Sequence, residues 1–234
     1  MTRCLEHIPA VFDPLYHQSL RDTIVEHYQR IDSGQLPGEE IGFVPSASSF
    51  PLKSLCTVAT VLRALAPRVV ARLNALLGDD IRVDLDIAWV RRQFAPVARP
   101  PPAAPHYWHQ DGAWGFDFLG ARSAGEVLPT KTLWIALDDC GEKAPGLEFI
   151  CEPPRGLLSL EALEPAQLEK RQPQTAHWYP NLLAGDGLLF SGEYLHRTHV
   201  HASMKYNRHS IELRFIDGRR IPQRLAQHQF LQLV

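Results

Sequence analysis

The chain has 234 residues, 45% of them hydrophobic, with a formal net charge of -2 and a pI near 6.6. That is enough apolar mass for a sizeable core and too much for a disordered protein. The length fits a single domain spanning 1–234, and the absence of a basic block removes the electrostatic footprint of a nucleic-acid binder.

In chain order, the start (MTRCLEHIPAVFDP) has no apolar core followed by a small-residue cleavage site. Asp13-Pro14 then reads as an N-cap and first-turn pair, and Leu20, Ile24, Tyr28 and Ile31 recur at helical spacing until Gly34. A Pro/Gly/Ser-rich connector covers 36–51, and a second helical stretch covers roughly 52–65. Pro67 opens a further turn, with Val69, Val70, Leu73, Leu76 and Leu77 along one face and Gly78 as the stop. From Ile81 the period changes to two: Ile81, Val83, Leu85, Ile87 and Trp89 alternate with polar neighbours, predicting a half-buried strand that runs on towards Phe94. The loop 95–105 (APVARPPPAAP) excludes helix and central strand. Further strands are expected at 132–137, 147–151, 188–190 and 208–216, with 152–181 an insertion holding a short helix around 160–170.

No apolar run approaches the roughly 20 residues that span a bilayer. Cys4, Cys56, Cys140 and Cys151 show no C-x-x-C spacing. Cys140 and Cys151 are close enough in sequence to pair across strands, but two buried free thiols suit a cytoplasmic protein, which is the location expected, without a membrane partner. Helices first (about 1–80) and short antiparallel strands later (about 81–216) predict an α+β plan, a two-sheet barrel with the helices packed on its outside.

The chemistry lies in the histidines. His109-Gln110-Asp111 puts an imidazole and a carboxylate on one face of an extended segment. Alone, the tripeptide is as readily a turn histidine beside a solvated aspartate. A second imidazole makes it a facial set for iron(II) that leaves positions open for co-substrate and oxygen, and the lack of thiolates argues against closed structural zinc. Downstream, Gly185-Asp186-Gly187 is a tight-turn signal, followed by a short strand and then by His196 and His199, both open as the third ligand. Arg208, Ser210, Glu212 and Arg214 share one face of the next strand, Ile211, Leu213 and Phe215 the other. A guanidinium there is a natural fork for a carboxylate.

WHQD at 108–111, TLWIALDD at 132–139, PGLEFI at 145–150, GDGLLF at 185–190, YLHRTH at 194–199 and RHSIELRF at 208–215 together resemble the phytanoyl-CoA dioxygenase family of iron(II)/2-oxoglutarate oxygenases. The likeness runs from about Ile81 to Ile216, with the motifs in the family's order. It implies a double-stranded β-helix (jelly-roll/cupin-like) barrel that uses Fe(II), 2-oxoglutarate and O2. It implies His109, Asp111 and His196 as metal ligands, the family's Leu/Ile-x-His phrase favouring His196 over His199. It implies Arg208 as the grip on the distal carboxylate of 2-oxoglutarate, with Thr198, Trp134 and Gln93 beside the co-substrate. In the related halogenases a small non-ligating residue stands where this chain has Asp111, so a carboxylate there points to hydroxylation or another hydrogen-abstraction outcome.

Trp114, Arg91, Gln93 and Glu212 are candidates for the substrate wall, and the compact length points to a small polar metabolite acted on by a monomer or homodimer. His201 and His209 read as surface or core-edge residues, and Asp138 and Asp139 as turn residues ending a strand. Two other readings stay open. One is a cupin-type metal-dependent isomerase or hydrolase with no need of 2-oxoglutarate; the other is a non-catalytic small-ligand-binding barrel.

Overall fold

The first long helix begins where its cap chemistry dictates. Asp13 Oδ1 accepts from the Leu15 and Tyr16 amides at 2.9 and 3.4 Å, and Pro14 occupies the first turn. This helix, α1 (Pro14–Asp32), follows a short strand, β1 (Leu5–Ile8). It ends just before Gly34, whose φ of 72° supplies the left-handed turn that a β-carbon would oppose. A computed structural model describes residues 3–36, 48–96, 107–113, 127–171 and 176–233. Most of the expected loop 95–105 and most of the connector 36–51 therefore lie outside the described residues.

The remaining elements are β2 (Ser49–Pro51), α2 (Val58–Arg63), α3 (Pro67–Leu77), β3 (Ile81–Asp84), β4 (Trp89–Gln93), β5 (His109–Gln110), β6 (Lys131–Ala136), β7 (Gly146–Ile150), α4 (Pro165–Arg171), β8 (His177–Trp178), β9 (Gly187–Ser191), β10 (Leu195–His199), β11 (Arg208–Asp217) and β12 (Phe230–Gln232). Among the described residues the strands form two antiparallel sheets. The large one runs β1-β9-β6-β11-β3-β12, with β4 also on β11 and β2 on β4; the small one runs β5-β10-β7-β8. Helices lie against the large sheet, which agrees with the expected α+β jelly-roll class.

Three local expectations change. The stretch 52–65 is two pieces, a 3-10 turn at Leu52–Ser54 and then α2, because Thr57 adopts extended backbone (φ -71°, ψ 117°) and restarts the helix. The single strand from Ile81 is broken at Leu85–Ile87, where the Asp84 side chain accepts from the Asp86 amide at 3.0 Å and turns the chain. That break lets β11 pair with β4 along its first half and with β3 along its second. The segment 152–181 is not wholly an insertion, since its end returns as β8 on the edge of β7. Five strands, β1, β2, β8, β10 and β12, were not expected.

The core is built on the alternation of β11. Ile211, Leu213 and Phe215 are each 0% exposed and pack with Ile24, Leu52, Val69 and Leu73 from the helical side. Each such side chain contributes about 1.5–3 kcal/mol by leaving water. A second cluster, with Trp134, Leu147, Phe149, Leu188 and Phe190, fills the space between the sheets beside the candidate site. Among the described residues no helix is long and apolar enough to cross a membrane. All four cysteines are free: Cys4 and Cys140 are buried, while Cys56 and Cys151 are half-buried, so the expected buried thiol holds for Cys140 and not for Cys151.

Candidate metal centre

Strands β5 and β10 are neighbours in the small sheet, and their register sets His109 directly opposite His196. Side chains paired this way across antiparallel strands are in contact, and here the two imidazole centroids lie 4.1 Å apart. The chain leaves extended conformation at Asp111, which opens a 3-10 turn (Asp111–Ala113) instead of continuing the strand. That turn delivers the carboxylate between the rings, with Oδ1 3.8 Å from Nε2 of His109 and 3.8 Å from Nε2 of His196. One ligand atom from each of the three residues lies within 4.8 Å of the others.

Tautomer and charge suit a cation. His109 Nδ1 donates to the Tyr107 carbonyl (2.7 Å) and His196 Nδ1 to the Tyr194 carbonyl (3.2 Å). This leaves both Nε2 lone pairs aimed at the shared point. Burial, with His196 adding to it, pushes His109 down to about 3, and burial also lowers His196, so both rings are neutral at neutral pH. Burial alone would raise Asp111, but the charge and hydrogen bond of the Arg214 guanidinium draw it well below the usual carboxylate range. Two neutral imidazoles and one ionised carboxylate, without thiolate, form a donor set that fits iron(II).

His199, the competing ligand, is three residues along the same strand and so faces the other way; its ring meets Tyr179 edge-on at 4.8 Å. On that outer face the two ligand strands are tied together. The Arg197 guanidinium lies 4.6 Å above the Trp108 ring and pairs with Glu148 at 2.5 Å. Glu148, 0% exposed, also accepts from His177 Nδ1 at 2.6 Å and Tyr179 Oη at 2.8 Å.

The polar face of β11 points into the barrel. Arg208 is 2% exposed; it donates to the Pro145 carbonyl (3.2 Å) and to Ser210 Oγ (2.5 Å) and lies 4.9 Å above the Trp134 ring. Gln93 stands opposite Arg208 in the β4–β11 register. Thr198 shares the face of His196 and is 9% exposed. Further along, Glu212 takes Arg91 Nε at 2.5 Å and Arg214 Nη2 at 3.2 Å. The candidate co-substrate residues and the pair Arg91–Glu212 are therefore on the inner side with the triad. Trp114 lies outside the described residues.

Two contacts of Asp111 were not read from the sequence. Thr132 Oγ1 donates to Asp111 Oδ2 at 2.6 Å, and Arg214 Nη2 donates to Asp111 Oδ1 at 3.0 Å. The signal was present: Thr132 shares the strand face of Trp134, and Arg214 that of Arg208. Their common target was not visible without the fold. A second group of potential ligands, Asp84, Asp86 and His228, is engaged within the protein, His228 on Asp84 at 2.6 Å and Lys53 on Asp86 at 2.7 Å. Asp138 and His209 pair at 2.8 Å at the core edge, where the Arg21 guanidinium also reaches Asp138.

The sequence model of the phytanoyl-CoA dioxygenase (PhyH) family matches residues 8–210. No curated protein sequence matches the chain. Among solved structures, EctD from S. alaskensis, with 2-oxoglutarate and 5-hydroxyectoine, superposes with a TM-score of 0.68 at 15% identity, covering 91% of this chain and 71% of that one. AviO1 from Streptomyces viridochromogenes Tue57 gives 0.63 at 16% identity, covering 94% and 92%. SnoN, an alpha ketoglutarate dependent epimerase from nogalamycin biosynthesis, gives 0.58 at 17%, covering 91% and 77%. At these identities the structural likeness is one of fold.

Proposed function

The chain belongs to the phytanoyl-CoA dioxygenase family of iron(II)- and 2-oxoglutarate-dependent oxygenases, and we propose that it hydroxylates a small polar metabolite, releasing succinate and carbon dioxide, as a single cytoplasmic domain. His109, Asp111 and His196 hold the iron, and the single observation that carries this is their convergence. When bound with 2-oxoglutarate and oxygen, the iron supplies the oxidising power.

The chain's residues bind, orient and exclude water. Arg208 receives the distal carboxylate of 2-oxoglutarate. A guanidinium this deeply buried is attractive to a dianion, and Ser210, Pro145 and Trp134 already fix its plane. Thr198, Trp134 and Gln93 complete that end of the pocket. Arg91 and Glu212 form the substrate wall among the described residues. Charged and amide groups on that wall favour a polar substrate over a long acyl chain. A metal isomerase or a passive ligand barrel has no need of Arg208 buried on the inner face of β11, which is why the oxygenase reading is preferred.

The test needs no substrate. Anaerobic apo-protein is titrated with iron(II) and then 2-oxoglutarate, following the weak visible charge-transfer band of the chelate. A band in the wild type that is absent in Asp111→Ala supports the assignment. Iron binding without a band at any 2-oxoglutarate concentration would sink the dioxygenase reading.

A further inference from the structure

We infer that Thr132 and Arg214 are positioning residues that hold the metal-binding carboxylate in a one-oxygen mode, Asp111 Oδ1 towards the ion and Oδ2 turned away. The inference rests on the reading of His109, Asp111 and His196 as the iron site.

The two residues face each other directly, Arg214 of β11 against Thr132 of β6 in the sheet register. Each takes a different oxygen of Asp111, the hydroxyl donating to Oδ2 at 2.6 Å and the guanidinium to Oδ1 at 3.0 Å. Oδ1 is the oxygen that stands 3.8 Å from both imidazole Nε2 atoms. Asp111, Thr132 and Arg214 are 2%, 1% and 5% exposed, so water is a poor substitute for either donor.

A carboxylate binds a metal through one oxygen or two. Two-oxygen binding would occupy a position that a chelating keto acid or oxygen requires, whereas a facial three-ligand set leaves three positions open. Rotating Asp111 to present Oδ2 breaks a short, buried, charge-assisted hydrogen bond to Thr132. Arg214 cannot follow the rotation, because its guanidinium is also held by the Ile87 carbonyl at 3.1 Å and Glu212 at 3.2 Å. The carboxylate is thus fixed from two neighbouring strands, β6 and β11, and its orientation belongs to the large sheet while the imidazoles belong to the small one.

The experiment compares wild type, Thr132→Val, Thr132→Ser and Arg214→Lys as apo-proteins. Each is checked by thermal melting and then titrated anaerobically with iron(II) and 2-oxoglutarate. The expected result is a loss of iron affinity of about 10-fold or more in Thr132→Val, with more 2-oxoglutarate needed to develop the band, and recovery in Thr132→Ser to within about 2-fold. Arg214→Lys, which keeps the charge and loses the fork, shifts both affinities in the same direction as Thr132→Val. A folded Thr132→Val that binds iron and 2-oxoglutarate like wild type overturns the inference, as does a serine variant as weak as the valine one. A wild type without a band overturns the oxygenase reading beneath it, an outcome distinct from either.

Discussion

His196 and His199 stand on opposite faces of β10: the first meets His109 inside the barrel, and the second stacks edge-on against Tyr179 outside it. Three residues is an odd offset in a strand, so backbone geometry alone separates ligand from bystander. His196→Ala is expected to weaken iron(II) binding by more than about 100-fold, beyond the loss usual for outer partners. His199→Ala leaves the affinity and the 2-oxoglutarate band unchanged. Parallel anaerobic titrations check both, and equal losses in the two variants contradict the assignment.

Arg208 is expected to govern 2-oxoglutarate and not iron. Removing a charge-assisted fork costs about 3 kcal/mol, roughly 100-fold in Kd. Arg208→Ala therefore needs on the order of 100 times more 2-oxoglutarate for half-maximal band intensity at unchanged iron affinity, with Arg208→Lys between the two. Competition with succinate in the same assay reports the same arginine independently.

Glu212 separates the half-buried guanidinium of Arg91, at 2.5 Å, from the buried one of Arg214, at 3.2 Å. Deleting it brings like charges face to face in a region with little water. Glu212→Ala is expected to cost about 3 kcal/mol of stability, and a chain of this size then melts roughly 10 °C lower. Glu212→Gln keeps an acceptor and loses less. Urea unfolding of the apo-proteins measures this; an alanine variant as stable as wild type shows that the ion-pair chain has little structural role.

Asp138 gives a pH prediction away from the metal. Burial raises its carboxyl, but the His209 hydrogen bonds outweigh that and, with Arg21, bring it down to about 2. A depressed carboxylate stabilises the fold above its unfolded value near 3.9 and loses that contribution as pH falls to the folded value. Wild type should therefore exceed Asp138→Asn by a margin that shrinks by about 2 kcal/mol between pH 5 and pH 2. Denaturant midpoints across that range provide the check.

The long elements and the His109-Gln110-Asp111 pair of ligands were legible because their signals are local, whereas His196 was set apart from His199 by the family resemblance. Asp13-Pro14 with a 3.6-residue period defines α1, and the alternation through Arg208–Phe215 defines β11 and its two faces. What was missed depended on partners far away in sequence. β1 is four residues long and is a strand because β9 offers it an edge. β10 carries His196, Arg197, Thr198 and His199, a polar run without an apolar signature, and it is fixed by β5 and β7 on its two sides. The break at Leu85–Ile87 keeps the same period as the strands around it, so only the Asx turn at Asp84 distinguishes it. The clamp on Asp111 joins β6 and β11 to a loop after β5, and no spacing rule connects those three.

The two-faced β11 also limits how this protein can change. A one-residue insertion or deletion between Arg208 and Arg214 would exchange the faces beyond it, sending arginine and glutamate under the helices and isoleucine, leucine and phenylalanine towards the metal. Foldability and reactivity are written into alternate letters of the same ten-residue word. Point substitutions can edit either set separately, but length variation is closed to this strand. Diversification towards new substrates must come from the connecting segments, whose length neither set of letters controls.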